Sequence, residues 1–445
     1  MREGGQEMTK LMWTRRDWMK ASLVAGAVTA TPRWARTLDT TGFKGSVAGA
    51  DSLRVHAEAR GLLFGCAVNP ALLDMDGMAA GTATDPYTVL VANQANIVVA
   101  ENAMKWGPLR PAPTSYDFTQ ADRLMRFAAL AGQKVRGHNL CWHQQLPSWF
   151  KTTATRDNAR TMLTGHIQTV AGRYKGRIHS WDVVNEAVEL KDGRADGLRN
   201  SPWLGLIGPE YIELAFTTAA AADPDAKLTY NDYGIELDTE DQSLKRGQVL
   251  MLVRRLKARN IPIRAVGIQS HLSAVGAQPG AGLQRFIREL KQMGLDVYIT
   301  EMDVNTRGLD GGPEAQDDAV AQVYRDYLGM VLAEPNVPAA LTWGITDKQT
   351  WLNSTHSEWA QRKDGTPQRP LPFDDDFLPT QAFVAARTAI DTARPLTQAA
   401  TPKKWNDLDP ALMYQPFRVQ GSPDTSKVPA GSASPAKSFT TPREQ

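Results

Sequence analysis

Short apolar segments alternate with stretches of helical pattern along most of this chain, and this alternation constrains the fold more than any other feature. In 247–256, for example, Val249, Leu250, Val253 and Leu256 recur at helical spacing. Strands separated by helices pair in parallel, and eight such strands in one domain close a (β/α)8 barrel. The sequence therefore predicts an α/β fold of the (β/α)8 barrel type over 54–393. The eight strand candidates are 62–67, 97–100, 135–140, 178–184, 228–231, 265–269, 297–300 and 340–343.

The two ends of the chain differ in composition from this region. Residues 1–35 contain the pair Arg15-Arg16, then a short, weakly apolar stretch and small residues, which predicts an export signal of the twin-arginine type. A basic amphipathic helix is the alternative interpretation. Residues 398–445 are rich in Pro, Ser, Thr, Lys and Ala, which predicts a largely disordered tail. We therefore expect one barrel domain, exported to the periplasm or secreted, with a terminal segment on each side.

Charge and cysteine content exclude several classes of partner and scaffold. The net charge is +2, from 50 basic and 48 acidic residues, so neither nucleic acid nor an anionic membrane surface is an expected partner. No apolar run is long enough for a transmembrane helix, and membrane insertion is not expected. The 2 cysteines, Cys66 and Cys141, are too few for a disulfide framework and lie in apolar runs. Both are interpreted as buried side chains, although a single bridge between them stays open.

Two of the predicted strands deliver a glutamate at their C-terminal ends. The run from Trp181 ends in Asn185-Glu186, and the run from Val297 ends in Glu301. Barrel enzymes carry their chemistry at this end of the strands, although a single glutamate at a strand end is most often a surface or capping residue. A pair of carboxyls is what a retaining glycoside hydrolase requires, because one protonates the leaving oxygen and the other attacks the sugar.

The surroundings of the two glutamates differ in the sequence. His271 and Asp303 are placed to keep Glu301 ionised and oriented, as a nucleophile requires. Glu186 is then the proton donor, with a raised pKa. The amide of its neighbour Asn185 is suited to hold a sugar hydroxyl.

Most of the other predicted strands also end in side chains of the types that bind sugars. Indole rings pack on the apolar faces of sugars, while amides, carboxylates and ammonium groups bind the hydroxyls. Three histidines, His138, His143 and His271, form an alternative metal set, but they lack metal-binding spacing, so no metal is expected. The candidate binding residues are Glu101, Asn102, Lys105, His138, Trp142, Gln145, Asn185, Gln269, Trp343 and Trp351.

Seven segments, taken in order, resemble glycoside hydrolase family 10, the endo-β-1,4-xylanases. The resemblance covers roughly 54–393. Asn139, Cys141, Gln144 and Met302 differ from the residues common in the family, and the turn at 113–118 lacks a glycine, but no departure removes a catalytic group. The matching segments are ENAMKW (101–106), RGHNLCWH (136–143), WDVVNE (181–186), NDY (231–233), GIQSH (267–271), TEMD (300–303) and WGITD (343–347).

The resemblance implies a TIM barrel that cleaves xylan with retention, with Glu186 as acid/base and Glu301 as nucleophile. It also implies that Glu101, Asn102 and Gln145 hold the next glycone unit, that no cofactor is needed, and that xylan and xylooligosaccharides are the partners. We expect a monomer. The residues implied to line the subsite of the cleaved sugar and its neighbour are Lys105, His138, Trp142, Asn185, Gln269, His271, Trp343 and Trp351.

Two other functions, a β-1,4-glucanase and a sugar-binding protein, fit the sequence less well. A β-1,4-glucanase on the same barrel is disfavoured because Lys105, Trp343 and Trp351 would crowd the hydroxymethyl group of glucose. A sugar-binding protein on an inactive barrel is disfavoured because both glutamates, His271 and Asp303 are present.

Overall fold

Eight parallel strands form a closed ring in the computed structural model, which describes residues 47–355 and 357–396. The ring runs in chain order and closes where the last strand pairs with the first. The strands are β1 (Leu63–Val68), β2 (Ile97–Ala100), β3 (Lys134–His138), β4 (Ser180–Asn185), β5 (Lys227–Asp232), β6 (Ala265–Ile268), β7 (His271–Ser273), β8 (Asp296–Asn305) and β9 (Ala339–Thr342). The short strand β7 is not part of the ring, because β6 pairs directly with β8.

Helices follow the strands and cover the outside of the ring. Several begin at side-chain caps, as at Ser201 and Thr239, whose hydroxyls accept backbone N–H groups of the first turn. The α-helices are α1 (Leu53–Ala59), α2 (Met75–Ala80), α3 (Pro86–Gln94), α4 (Trp106–Leu109), α5 (Thr119–Ala131), α6 (Phe150–Thr153), α7 (Ala159–Arg173), α8 (Pro202–Ile207), α9 (Tyr211–Ala222), α10 (Glu240–Ala258), α11 (Ala281–Gln292), α12 (Pro313–Val331) and α13 (Gln381–Thr392). The predicted (β/α)8 barrel is confirmed.

The apolar core has two parts because successive side chains of a strand point to opposite faces. On β2, Val98 packs in the large cluster that includes the helices, whereas Ile97 and Val99 belong to a small cluster formed by strand residues. The small cluster is therefore the inside of the barrel. Trp343, which follows β9, belongs to it, and Trp351 packs against it.

Strand β8 and the end of β6 differ from the sequence prediction. The predicted strand stopped at residue 300, but β8 continues to Asn305 because its last three residues pair with β7. Glu301 therefore lies within a strand rather than at its end. The predicted strand 265–269 ends at Ile268, and His271 begins the separate strand β7, since Ser270 adopts a φ of 66° and ends the extended conformation after β6.

Both cysteines, Cys66 and Cys141, are buried and free. Burial raises the pKa of each thiol above its usual range. Among the described residues, no helix is both long enough and apolar enough to cross a membrane. The predicted export signal at 1–35 and the predicted tail at 398–445 lie outside the described residues.

The ring of Trp181, on the neighbouring strand β4, packs so closely against Gly137 in β3 that no side chain fits at position 137. The indole is fully buried, and its Nε1 donates a hydrogen bond to Asp223 Oδ2 at 3.0 Å. A Cβ at position 137 would lie 2.0 Å from the ring carbon Cε3 of Trp181. The close packing of β3 on β4 therefore depends on the absence of a side chain there.

We expect Gly137→Ala to lower the free energy of unfolding by about 1–3 kcal/mol, because it overpacks a rigid interior. Gly172→Ala is the matched control. Gly172 lies in α7, where an added Cβ meets nothing within 4 Å, so that change should be neutral or stabilising by about 0.5–1 kcal/mol. Chemical denaturation of both variants measures the difference, and equal stabilities would contradict the packing argument.

Candidate active site

Glu186 and Glu301 are both buried, with 7% and 5% of their surfaces exposed. Glu186 directly follows β4, and its backbone takes a φ of 58°, which non-glycine residues rarely adopt. Its N–H donates to the carbonyl of Asn231 at 2.8 Å. This hydrogen bond still joins Glu186 to β5, and the positive φ turns the backbone away from the strand direction at this residue. Such a conformation persists only where the surrounding structure fixes it, and it is common at functional sites.

A chain of three side-chain amides connects the two carboxyls. Gln269 Nε2 donates to Glu186 Oε1 at 2.9 Å and to Asn185 Oδ1 at 3.4 Å. Asn231 Nδ2 donates to the same Asn185 oxygen at 2.9 Å and to Glu301 Oε1 at 2.8 Å. Each NH2 group has two hydrogens, so all four bonds form at once. The amides therefore fix the orientation of both carboxyls.

The surroundings of Glu186 favour its neutral form. Burial raises its pKa, and the negative charges of Asp232 and Glu301 raise it further. Hydrogen bonds from Gln269 and from Trp142 Nε1, which donates to Oε2 at 2.8 Å, partly offset this effect. The net result is a carboxyl that retains its proton more strongly than usual, as a proton donor must.

His143 lies beside Glu186 without neutralising it. Its Nδ1 is 3.8 Å from Glu186 Oε2. Burial lowers the pKa of His143 to about 4, and the charge of Arg199 contributes to this shift. The imidazole is therefore neutral near pH 7.

The surroundings of Glu301 favour its ionised form. His271 Nε2 lies 3.4 Å from Glu301 Oε2, and His271 Nδ1 lies 2.9 Å from Asp303 Oδ1. Burial alone would raise the pKa of Glu301, but the hydrogen bond and charge of His271 help to lower it to about 2. Burial likewise opposes the charge on His271, yet Asp303 raises the pKa of the imidazole well above its usual range. Trp351 Nε1 donates to the second oxygen of Asp303 at 2.7 Å.

One short segment after β6 delivers a partner to each carboxyl. Gln269 reaches Glu186, and His271 reaches Glu301, with the φ of 66° at Ser270 between them. The buried carboxyl of Glu236 accepts the Ser270 N–H at 3.0 Å, and the N–H of Ile235 binds its other oxygen at 2.8 Å. Glu236 thus fixes the bend that points the two neighbours of Ser270 in different directions.

A wall of rings and one cation borders the carboxyls. Lys105 Nζ lies 5.2 Å from the ring centre of Trp142 and 5.6 Å from that of Trp343. The ring of His138 meets Trp343 edge to face at 5.4 Å, and its Nδ1 is 3.0 Å from Asp182 Oδ2. Burial lowers the pKa of Lys105, which nearby carboxylates oppose. Flat rings beside a single ammonium group suit a ligand with apolar faces and hydroxyl edges.

The residues that follow β2 continue this wall. Lys105 Nζ donates to Asn102 Oδ1 at 2.9 Å. Burial raises the pKa of Glu101, while the charge of Lys105 and a hydrogen bond with Asn102 lower it. Gln145 is exposed, has a φ of 49°, and accepts the Gly107 N–H with its carbonyl oxygen at 3.0 Å. All the predicted site residues except Gln145 are thus connected by side-chain contacts or by interactions between charges. Gln145 contacts α4 through its backbone carbonyl.

Three further residues hold the site, and the sequence alone predicted no role for them. Asn231, at the end of β5, bridges Asn185 and Glu301, and the rule that polar residues at strand ends are functional identifies it. Asp182 is a buried carboxyl inside β4 that pairs with Arg136 and His138. Glu236 lies outside any strand and acts on a backbone N–H, so no sequence pattern indicates its role.

The three candidate metal-binding histidines contact carboxyls instead of one another. His138 pairs with Asp182, His143 lies beside Glu186, and His271 lies between Glu301 and Asp303. No group of three or more His, Cys, Asp or Glu side chains in the described ranges could hold a metal ion. Of the three, His271 helps to lower the pKa of Glu301.

Comparison with known proteins identifies the family of this chain. The model of glycosyl hydrolase family 10 matches residues 52–389. A β-1,4-xylanase of Dictyoglomus thermophilum is 37% identical over 67% of this chain and 82% of its own length. The crystal structure of xylanase 10B from Thermotoga maritima has a TM-score of 0.67 at 34% identity, covering 76% of this chain and 98% of that one. That of xylanase 10B from Thermotoga petrophila, in complex with xylobiose, has a TM-score of 0.66 at 32% identity, covering 76% and 97%. This chain belongs to glycosyl hydrolase family 10.

Proposed function

We propose that the protein is an endo-β-1,4-xylanase, which hydrolyses internal linkages of xylan and xylooligosaccharides with net retention. The observation that carries the proposal is the pair of buried carboxyls, which hydrogen-bond to a shared chain of side-chain amides and have pKa values shifted in opposite directions. Glu186 is shifted towards its protonated form and Glu301 towards its ionised form. Those are the starting states of an acid and a nucleophile in a retaining glycosidase. The names of the relatives support the substrate.

The reaction proceeds in two displacements. In the first, the Glu301 carboxylate attacks the anomeric carbon while Glu186 gives its proton to the departing glycosidic oxygen. This step leaves a glycosyl ester on Glu301 and a carboxylate on Glu186. In the second, Glu186 takes a proton from water, whose oxygen attacks the anomeric carbon and releases Glu301. Two inversions give net retention and restore both protonation states.

The wall around the carboxyls positions the sugar. We assign Asn185, Gln269 and His138 to hydroxyls of the sugar at the cleaved bond, because their polar groups adjoin the amide chain or the ring of Trp343. Lys105 and the indoles of Trp142, Trp343 and Trp351 border the same sugar. Glu101, Asn102 and Gln145 are assigned to the next glycone unit. For Gln145 the support is the resemblance and the position of its loop.

Activity on β-1,4-glucan is the alternative, and no observation favours it. Trp142 and Trp343 both lie close to the ammonium of Lys105, and we expect these groups to disfavour the hydroxymethyl group that distinguishes glucose from xylose. A comparison of rates on xylooligosaccharides and cellooligosaccharides of equal length separates the two activities.

Export to the periplasm or the medium by the twin-arginine route stays a prediction. It is supported by the pair Arg15-Arg16 and the small residues that follow it. A monomeric state also stays a prediction.

Glu301→Ala should reduce turnover of xylan by on the order of 10³-fold or more, because it removes the nucleophile. Azide should then restore turnover of an activated aryl xylobioside and give the glycosyl azide of inverted configuration. The exposed carboxylate Glu314 offers a matched control, Glu314→Ala, which should retain full activity. Near-normal xylan hydrolysis by a correctly folded Glu301→Ala protein would refute the assignment.

Glu186→Ala should separate substrates by their leaving groups. Turnover of xylan should fall by about 10²–10⁴-fold, since a sugar alkoxide needs the proton. Dinitrophenolate leaves without a proton, so dinitrophenyl xylobioside should show a rapid burst followed by slow turnover of the glycosyl ester. Stopped-flow absorbance measures the burst. Equal losses on both substrates would contradict the role of proton donor.

His271→Asn should move the acid limb of the pH–rate profile to higher pH. The pKa of Glu301 is depressed partly by His271, so removing this cation raises that pKa and protonates the nucleophile at a higher pH than before. The alkaline limb, which follows the loss of the Glu186 proton, should move much less. His56→Asn is the control, because His56 pairs with Asp391 instead of an active-site carboxyl. An unmoved acid limb would rule out this role for His271.

A further inference from the structure

We propose that Trp359 is an additional sugar-binding surface, which stacks on a unit of the xylan chain beyond the sugars held by Trp343 and Trp351. The inference rests on the proposed function and extends the site of that same reaction. The ring centre of Trp359 lies 5.7 Å from that of Trp351, with 54° between the two ring planes.

The exposure of Trp359 is unusual for its type. Trp359 is 51% exposed, and it is the only aromatic residue among the exposed large apolar residues in the part of the chain that the structure describes. The others are Val, Leu and Met, and isolated exposed side chains of these types are ordinary on a protein surface. A half-exposed indole gives up about half of the stabilisation that its large apolar surface would supply in a core. This cost indicates a ligand-binding role for the side chain.

Trp359 is continuous with the active site through its contact with Trp351. Trp351 Nε1 donates to Asp303, and its ring meets that of His271 edge to face at 5.3 Å. Trp359 is therefore one ring contact beyond the residues that support the nucleophile Glu301. A polysaccharide bound across Glu301 extends several units from it, so the outer end of this row of rings suits a more distant unit of the same chain.

Hydrogen bonds from buried side chains fix the backbone around Trp359. Arg362 is buried, and it donates to the carbonyls of Thr306 at 2.7 Å and Gly311 at 2.9 Å, in the loop after β8. Gln368 accepts the Thr306 N–H at 2.7 Å and donates to the carbonyl of the buried Ala360. The neighbours of the exposed ring are thus fixed before any sugar binds. Pre-ordering of this kind lowers the entropy lost on binding.

The test compares Trp359→Ala with wild type on substrates of different length. On xylohexaose and xylan we expect KM to rise about 3- to 10-fold with kcat unchanged, because a distant stacking contact is equal in the ground and transition states. On a short aryl xylobioside both constants should be unchanged. Trp359→Phe should recover part of the loss. Met251→Ala, which removes another exposed apolar side chain, should have no effect on any substrate.

Two outcomes would overturn the proposal. An equal loss on short and long substrates would mean that Trp359 acts by supporting Trp351, and no loss on any length would mean that it binds no sugar. Calorimetric binding of xylohexaose to Glu301→Ala, with and without Trp359→Ala, tests the contact apart from turnover. Weaker binding in the double variant supports the stacking surface. If instead Glu301→Ala remains active, the proposed function fails while the binding comparison still reports on Trp359.

Discussion

The structure depends on how two buried carboxyls are kept close together at the open end of a barrel. Burial penalises the charged form of each, and a second negative charge nearby would add to the penalty. The protein resolves this conflict asymmetrically. Glu301 receives the imidazolium of His271, which is itself supported by Asp303, whereas Glu186 receives neutral donors from Gln269 and Trp142. The pKa of Glu301 is therefore lowered and that of Glu186 is raised, so the electrostatics of the site favour the division of roles that retaining hydrolysis needs.

The barrel makes this asymmetry possible because each partner comes from a different strand end. The amide chain joins residues from β4, β5 and the segment after β6. The break at Ser270 is the decisive local feature. In an uninterrupted strand, Gln269 and His271 would be two residues apart on one face. The φ of 66° and the hydrogen bond from Ser270 N–H to Glu236 separate their directions, so one reaches each glutamate. Glu236 touches neither carboxyl, yet it fixes the backbone that serves both.

The sequence predicts the framework of this fold well, since strand runs and their order follow from local apolar patterns. All eight barrel strands overlap the predicted segments, and Glu186 directly follows β4, as the apolar run from Trp181 predicted. The extension of β8 was not predictable in the same way, because Met302 pairs with Thr342 of β9 and Asp303 pairs with His271 of β7, and both partners are distant in sequence. The left-handed backbone at Ser270 was also missed, since serine has no special preference for it. Asn231 lies in the segment NDY, but its role could not be predicted, because it appears only when β4 and β8 lie on either side of β5 and Asn231 bridges Asn185 and Glu301.

Asp303 shows how the chemistry and the sugar-binding wall share one support. Both of its oxygens are used: Oδ1 binds His271 and Oδ2 accepts from Trp351. The carboxylate therefore fixes the ring that keeps Glu301 ionised and the indole that borders the sugar in a single arrangement. Loss of either partner would leave a buried oxygen without a donor, which is costly in an apolar setting. Asp303 thus positions both the imidazole that contacts Glu301 and the indole of Trp351, and the row of rings extends outward from Trp351 to Trp359.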